Sequence, residues 1–93
     1  MKFSLGALVA TPAALRFCTL HKINLLDLVV RHHHGDWGDL DDEDKLANDV
    51  ALVHGARIFS SYVLGQGKIW IITEATNDDG LRASTCVMTP SCY

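Results

Sequence analysis

Positive charge is scarce in this 93-residue chain, with eight Lys and Arg against eleven Asp and Glu and a net charge of −3 with His neutral. The cations are scattered, so there is no basic stripe to meet a phosphate backbone, and no direct nucleic-acid binding is expected. Long apolar runs are missing too. No stretch reaches the roughly eighteen apolar residues that a membrane-spanning helix needs. Cysteine is sparse: Cys18, Cys86 and Cys92 show no C-x-x-C spacing. An odd count does not suit the disulfide framework of a small secreted domain, so reduced thiols are expected. Cys86 and Cys92 are still close enough in sequence for a bridge to close a short terminal loop. No linker, repeat or low-complexity tract interrupts the chain, which reads as a single domain over residues 1–93.

What is present is globular in character. At 48% hydrophobic and 20% charged residues, the composition excludes disorder as the default. Met1-Lys2 and the apolar residues 3–10 imitate a secretory signal, but the run is short and Thr11-Pro12 breaks it, so the segment is read as retained. Residues 3–10 are either an added strand or an apolar lead-in to a helix. Thr11-Pro12 predicts an N-cap followed by proline in the first turn of a helix over 13–22, with Leu15, Cys18 and either Leu20 or Phe17 turned inward. Asn24 caps a second helix, whose apolar residues 25, 26 and 28–30 make a face wide enough to be covered on two sides. Gly35 is its left-handed stop. Asp39 is the expected N-cap of a third helix, and Asp41, Asp42, Glu43 and Asp44 suit the positive end of its dipole. Leu46, Val50 and Val53, beside Ala47 and His54, give that helix one apolar face, and Gly55 ends it.

The last third changes period. Residues 57–64 alternate, residues 68–74 are β-branched and aromatic on both faces, and residues 82–88 form a third strand. Turns fall at residues 65–67 and at Asn77-Asp78-Asp79-Gly80, where Asp-Gly favours a two-residue hairpin. The fold expected is α+β: two to three N-terminal helices packed on one face of a three-stranded antiparallel C-terminal meander, with the N-terminal strand as an optional addition. Trp70, in the central strand, is read as core.

The unusual residues gather between 31 and 55. His32, His33 and His34 could bind a metal, with His32, Asp36 and His54 as the most compact set. Successive helical residues point about 100° apart, however, so three adjacent histidines cannot share one ion, and a cationic helix end is the simpler account. The carboxylates after Asp36 fit a capped helix start better than a calcium loop, which needs another spacing, or a nucleic-acid mimic, which needs more charge. No catalytic residues are assigned and no cofactor is expected. Ser60 and Ser61 sit on a strand, and so small a domain leaves little room for a deep pocket. Trp37, with a glycine on each side of the Asp36-Trp37 pair, either plugs the helix layer or stands out as an interface anchor. The interaction candidates are therefore His32, Asp36, Trp37, Asp39, Asp42 and Glu43.

Several stretches carry a family resemblance: the N-terminal twelve residues, Arg31-His32, Gly35-Asp36-Trp37-Gly38-Asp39-Leu40, Glu43-Asp44 with Asn48, and Ile69-Trp70-Ile71-Ile72-Thr73-Glu74-Ala75. In these the chain resembles the small plasmid-related proteins of bacterial plasmids and integrative elements. It departs from them at the end, where the turn at 77–80 is longer and Cys86, Met88 and Cys92 replace more typical residues. The resemblance implies a cytoplasmic bacterial setting but no reaction. The leading expectation is a non-enzymatic protein that binds another protein through residues 31–44. The alternatives are an inhibitor of host restriction or CRISPR defence and a small metal-dependent hydrolase. Strand edges unprotected by charge also make a homodimer plausible.

Overall fold

A computed structural model describes residues 3–65 and 67–92. Met1, Lys2, Gln66 and Tyr93 lie outside them, as therefore do the charged start of the signal-like segment and the centre of the turn expected at 65–67. The fold is α+β: β1 (Ala7–Ala10), α1 (Pro12–Leu20), α2 (Leu25–His33), α3 (Asp42–His54), β2 (Ile58–Leu64), β3 (Gly67–Thr73), β4 (Ser84–Met88) and a closing 3-10 turn at Pro90–Cys92. Among the described residues no helix is long and apolar enough to cross a membrane.

The antiparallel meander β2–β3–β4 forms as its periodicity predicts. The sheet is nevertheless four-stranded and mixed, in the order β1-β4-β3-β2, because β1 adds in parallel beside β4. Ala7 pairs with Ser84 and Ala10 with Val87. That contact joins the two ends of the chain, beyond the reach of any local pattern. The β3–β4 hairpin also differs from expectation. Asn77 and Leu81 close a three-residue loop in which Gly80 takes the left-handed conformation, and the Asn77 side chain accepts from the N–H groups of Asp79 and Leu81. This is the type I turn with a glycine bulge, the usual three-residue solution.

Local chemistry fixes most helix ends. Thr11 Oγ1 accepts from Ala14 N–H and Asn24 Oδ1 from Leu26 N–H, so both expected caps are present. The α3 cap is Asp41, which accepts from Asp44 N–H, and not Asp39. Gly55 closes α3 in the left-handed region.

The helices pack on one sheet face. Ala14 and Cys18 of α1 and Leu28 and Val29 of α2 cluster with Tyr62, Ile69, Ile71 and Val87. A second cluster joins Trp37, Ala51 and Ile58. The helix faces correct three expectations. Ala14, not Leu15 or Leu20, points inward with Cys18. Leu26 and Val30 of α2 are exposed, so that helix is covered on one side only. On α3, Asn48 and Ala51 face in, whereas Leu46, Val50 and Val53 are 63%, 49% and 80% exposed.

Candidate functional site

Among the described residues the outer edge of β2 has no neighbouring strand. Residues 59, 61 and 63 turn their backbone groups away from β3, and an open edge of this kind invites pairing with another chain. Residues 37–48 cover it. Asn48 Nδ2 donates to Phe59 O (2.6 Å), and Phe59 N–H donates to Asn48 Oδ1 (3.1 Å). Next, Ser61 N–H donates to Trp37 O (3.3 Å) and Asp39 N–H donates to Ser61 O (2.6 Å), a one-residue parallel bridge. Finally Val63 N–H donates to the Asp39 carboxylate (2.7 Å). Asp39 cannot cap α3 because its side chain completes this edge.

The loop holds its shape through Arg31, Asp36 and Tyr62. Arg31 Nε donates to Asp36 Oδ2 at 2.7 Å while the guanidinium stacks 4.5 Å from the Tyr62 ring centroid. Asp36 Oδ1 accepts from Gly38 N–H, and its backbone oxygen accepts from Tyr62 O–H at 2.6 Å. The Arg31 hydrogen bond is the main force holding the Asp36 carboxyl below its usual range. Gly38 has φ of +76°, and a side chain there would drive into Ser61 O and the Tyr62 ring. Both its conformation and its clearance require glycine. Trp37 is 5% exposed and donates from Nε1 to Asp49 Oδ1 (3.3 Å). It is the plug of the smaller core cluster and presents no contact surface.

His32 is fully buried in a directional chain of hydrogen bonds. Thr85 Oγ1 donates to Leu5 O at 2.7 Å, which commits its proton. Thr73 O–H must then donate to Thr85 Oγ1 (2.7 Å), and His32 Nε2–H to Thr73 Oγ1 (2.9 Å). Nδ1 is left to accept from Ser60 O–H at 2.5 Å. The chain thus assigns a neutral imidazole with its proton on Nε2. Burial, aided by the charge of His33, pushes His32 down to about 4. Ser60 and His32 stand at the distance of a nucleophile and its base, but both are fully buried. No substrate can reach that oxygen, and the pair pins α2 to the sheet.

The metal set of His32, Asp36 and His54 is overturned. Both His32 ring nitrogens are used within the core, and among the described residues no group of three His, Cys, Asp or Glu could hold an ion. His33 Nε2–H donates to the backbone carbonyl of Phe3 at 2.7 Å. The cysteines are all free; Cys92 is exposed, and its hydrogen bonds with Thr11 and Thr89 lead in lowering its thiol to about 7. Arg82, which the sequence did not single out, is buried and donates to the carbonyls of Ala51, Ala56 and Glu74. It supplies positive charge to the C-terminal end of α3. Asn48 was also missed as an edge-covering residue. The available signal was a polar residue at a position in phase with buried Ala51.

Of the six interaction candidates, His32 and Trp37 are buried, and Asp36 and Asp39 are engaged in holding the loop and the β2 edge. Asp42 and Glu43 remain exposed in the first turn of α3. They adjoin the outward row of Leu46, Val50 and Val53. No family model, no curated protein and no solved structure matches the chain.

Proposed function

We propose that this chain works by binding another protein, as a non-enzymatic accessory protein of a bacterial mobile genetic element acting in the cytoplasm. The setting is the one the family resemblance implies. The observation that supports the binding role is the orientation of α3. Leu46, Val50 and Val53 occupy positions i, i+4 and i+7 of its outer face, the spacing with which a helix anchors in an apolar groove. Asp42 and Glu43 place negative charge at one end of that row. The complementary partner surface is an apolar groove with a basic rim at one end, since opposite charge at the rim sets orientation and association rate.

Crosslinking in a bacterial host, with wild type beside Leu46→Asp/Val50→Asp and Asp42→Lys/Glu43→Lys, tests this reading. One partner captured by the wild type, lost with the apolar double variant and weakened with the charge variant is the expected result. Capture that ignores both variants while their circular dichroism stays native overturns it.

A further inference from the structure

Two of the three thiols meet at one corner of the sheet. Cys86 lies opposite Val9 in the parallel β1–β4 ladder, and its neighbours Thr85 and Val87 are fully buried toward the helices. Cys86 therefore stands on the other face, beside Val9 and, two residues further on, Thr11. The closing turn brings Cys92 to the same place. Pro90–Cys92 packs against β3, yet Cys92 Sγ lies 3.3 Å from Thr11 Oγ1, just past the end of β1. With β4 between β1 and β3, the turn must cross the end of β4. Thr11 N–H donates to Val87 O at 2.9 Å, and Cys86 Sγ lies 3.8 Å from that same oxygen. The two sulfurs thus flank one Thr11–Val87 contact.

Their chemistry is unequal. Cys92 is exposed, and its Sγ also lies 3.3 Å from Thr89 Oγ1, which is 2.7 Å from Ser91 Oγ. As a thiol Cys92 donates to Thr11; as a thiolate it accepts from the Thr11 and Thr89 hydroxyls. Thr11 Oγ1 meanwhile accepts from Ala14 N–H as the N-cap of α1, so the positive end of that helix favours the same charge. Cys86 is half-buried, and burial first, then the charges of Cys92 and Glu74, make it less acidic.

We infer that Cys86 and Cys92 form a redox modification site whose substrate is a hydroperoxide. The Cys92 thiolate attacks the outer oxygen of ROOH. The O–O bond breaks, RO⁻ takes a proton from water and leaves as ROH, and Cys92 becomes a sulfenic acid. Cys86 then attacks that sulfur, its thiol proton departs with the sulfenic hydroxyl as water, and an S–S bond joins the pair. Two electrons pass from the thiols to the peroxide. Loss of the Cys92 charge in the first step removes one of the charges that hold the Cys86 proton, which favours the second. The bridge exchanges the hydrogen bond to Thr11 for a covalent tie between the closing turn and β4.

Treating the folded, untagged chain with hydrogen peroxide near neutral pH, then unfolding it in N-ethylmaleimide and mapping it without reduction, tests the inference. A Cys86–Cys92 peptide beside alkylated Cys18 is the expected product. Cys86→Ser leaves Cys92 as a sulfenic acid that dimedone traps, and Cys92→Ser leaves Cys86 unreacted over the same interval. In the Cys86→Ser chain Cys92 is oxidised about threefold faster when folded than in urea. An acidity near 7, against about 8.5 when unfolded, raises its thiolate fraction more than it lowers its nucleophilicity. Oxidation of Cys92 to sulfinic acid with no bridge overturns the inference. So do bridges formed only between chains, or equal rates in the folded and unfolded states.

Discussion

His32 links the core to pH in a calculable way. Its imidazole is neutral in the folded chain and is held near 4, against 6.5 when exposed. Below about 6.5 the unfolded chain therefore binds a proton that the folded chain refuses. Stability is complete above that pH and falls as the pH drops toward 4, by about 3 kcal/mol in all. Urea denaturation at about pH 7.5 and about pH 4.5 reads this loss, and His32→Gln removes most of the difference while lowering stability at the higher pH. Gly38 is constrained by geometry alone. Gly38→Ala places a methyl group against Ser61 O and the Tyr62 ring at a positive φ, and a loss of about 2–4 kcal/mol in chemical denaturation is expected. The cysteines separate by exposure and acidity. Cys92 is exposed with its thiol lowered to about 7, whereas burial raises Cys18. Iodoacetamide near neutral pH labels Cys92 first and spares Cys18 until the chain unfolds, which peptide mass mapping shows directly.

At the scale of the element, α3 has the right length, cap region and stop for its sequence but the opposite orientation. Amphipathic spacing predicts Leu46, Val50 and Val53 inside. The bare edge of β2 instead draws in Asn48, whose amide replaces a neighbouring strand by donating to and accepting from Phe59. An unpaired buried backbone group costs about 1–3 kcal/mol, enough to compete with burying one more aliphatic side chain. Asn48→Asp keeps the acceptor but loses the donor, and Asn48→Leu loses both. Each is expected to lower thermal stability, Asn48→Leu despite its greater hydrophobicity, as differential scanning calorimetry would show. Helix existence, two of three N-caps and the Gly55 stop were legible because each depends on neighbours in sequence. The role of Asp39 was not, since its N–H and carboxylate are claimed by β2 more than twenty residues away.

For the whole molecule, the α+β class and the antiparallel meander followed from periodicity. The parallel addition of β1 beside β4 did not, because that pairing joins segments more than seventy residues apart.

By itself the sequence determined the elements, their polarity pattern and the residues that close their ends, because caps, turns and alternation act over a few residues. It also marked residues 35–40 as unusual. Only the tertiary structure decided what those residues do. Gly38 lets the loop reach Ser61, Trp37 fills the core beneath, and Asp39 with Asn48 closes the edge of β2. It also decided that β1 pairs with β4 and that the α3 row turns outward. Those outcomes depend on which distant backbone groups must be hydrogen-bonded once the sheet has formed, a condition that exists only in three dimensions.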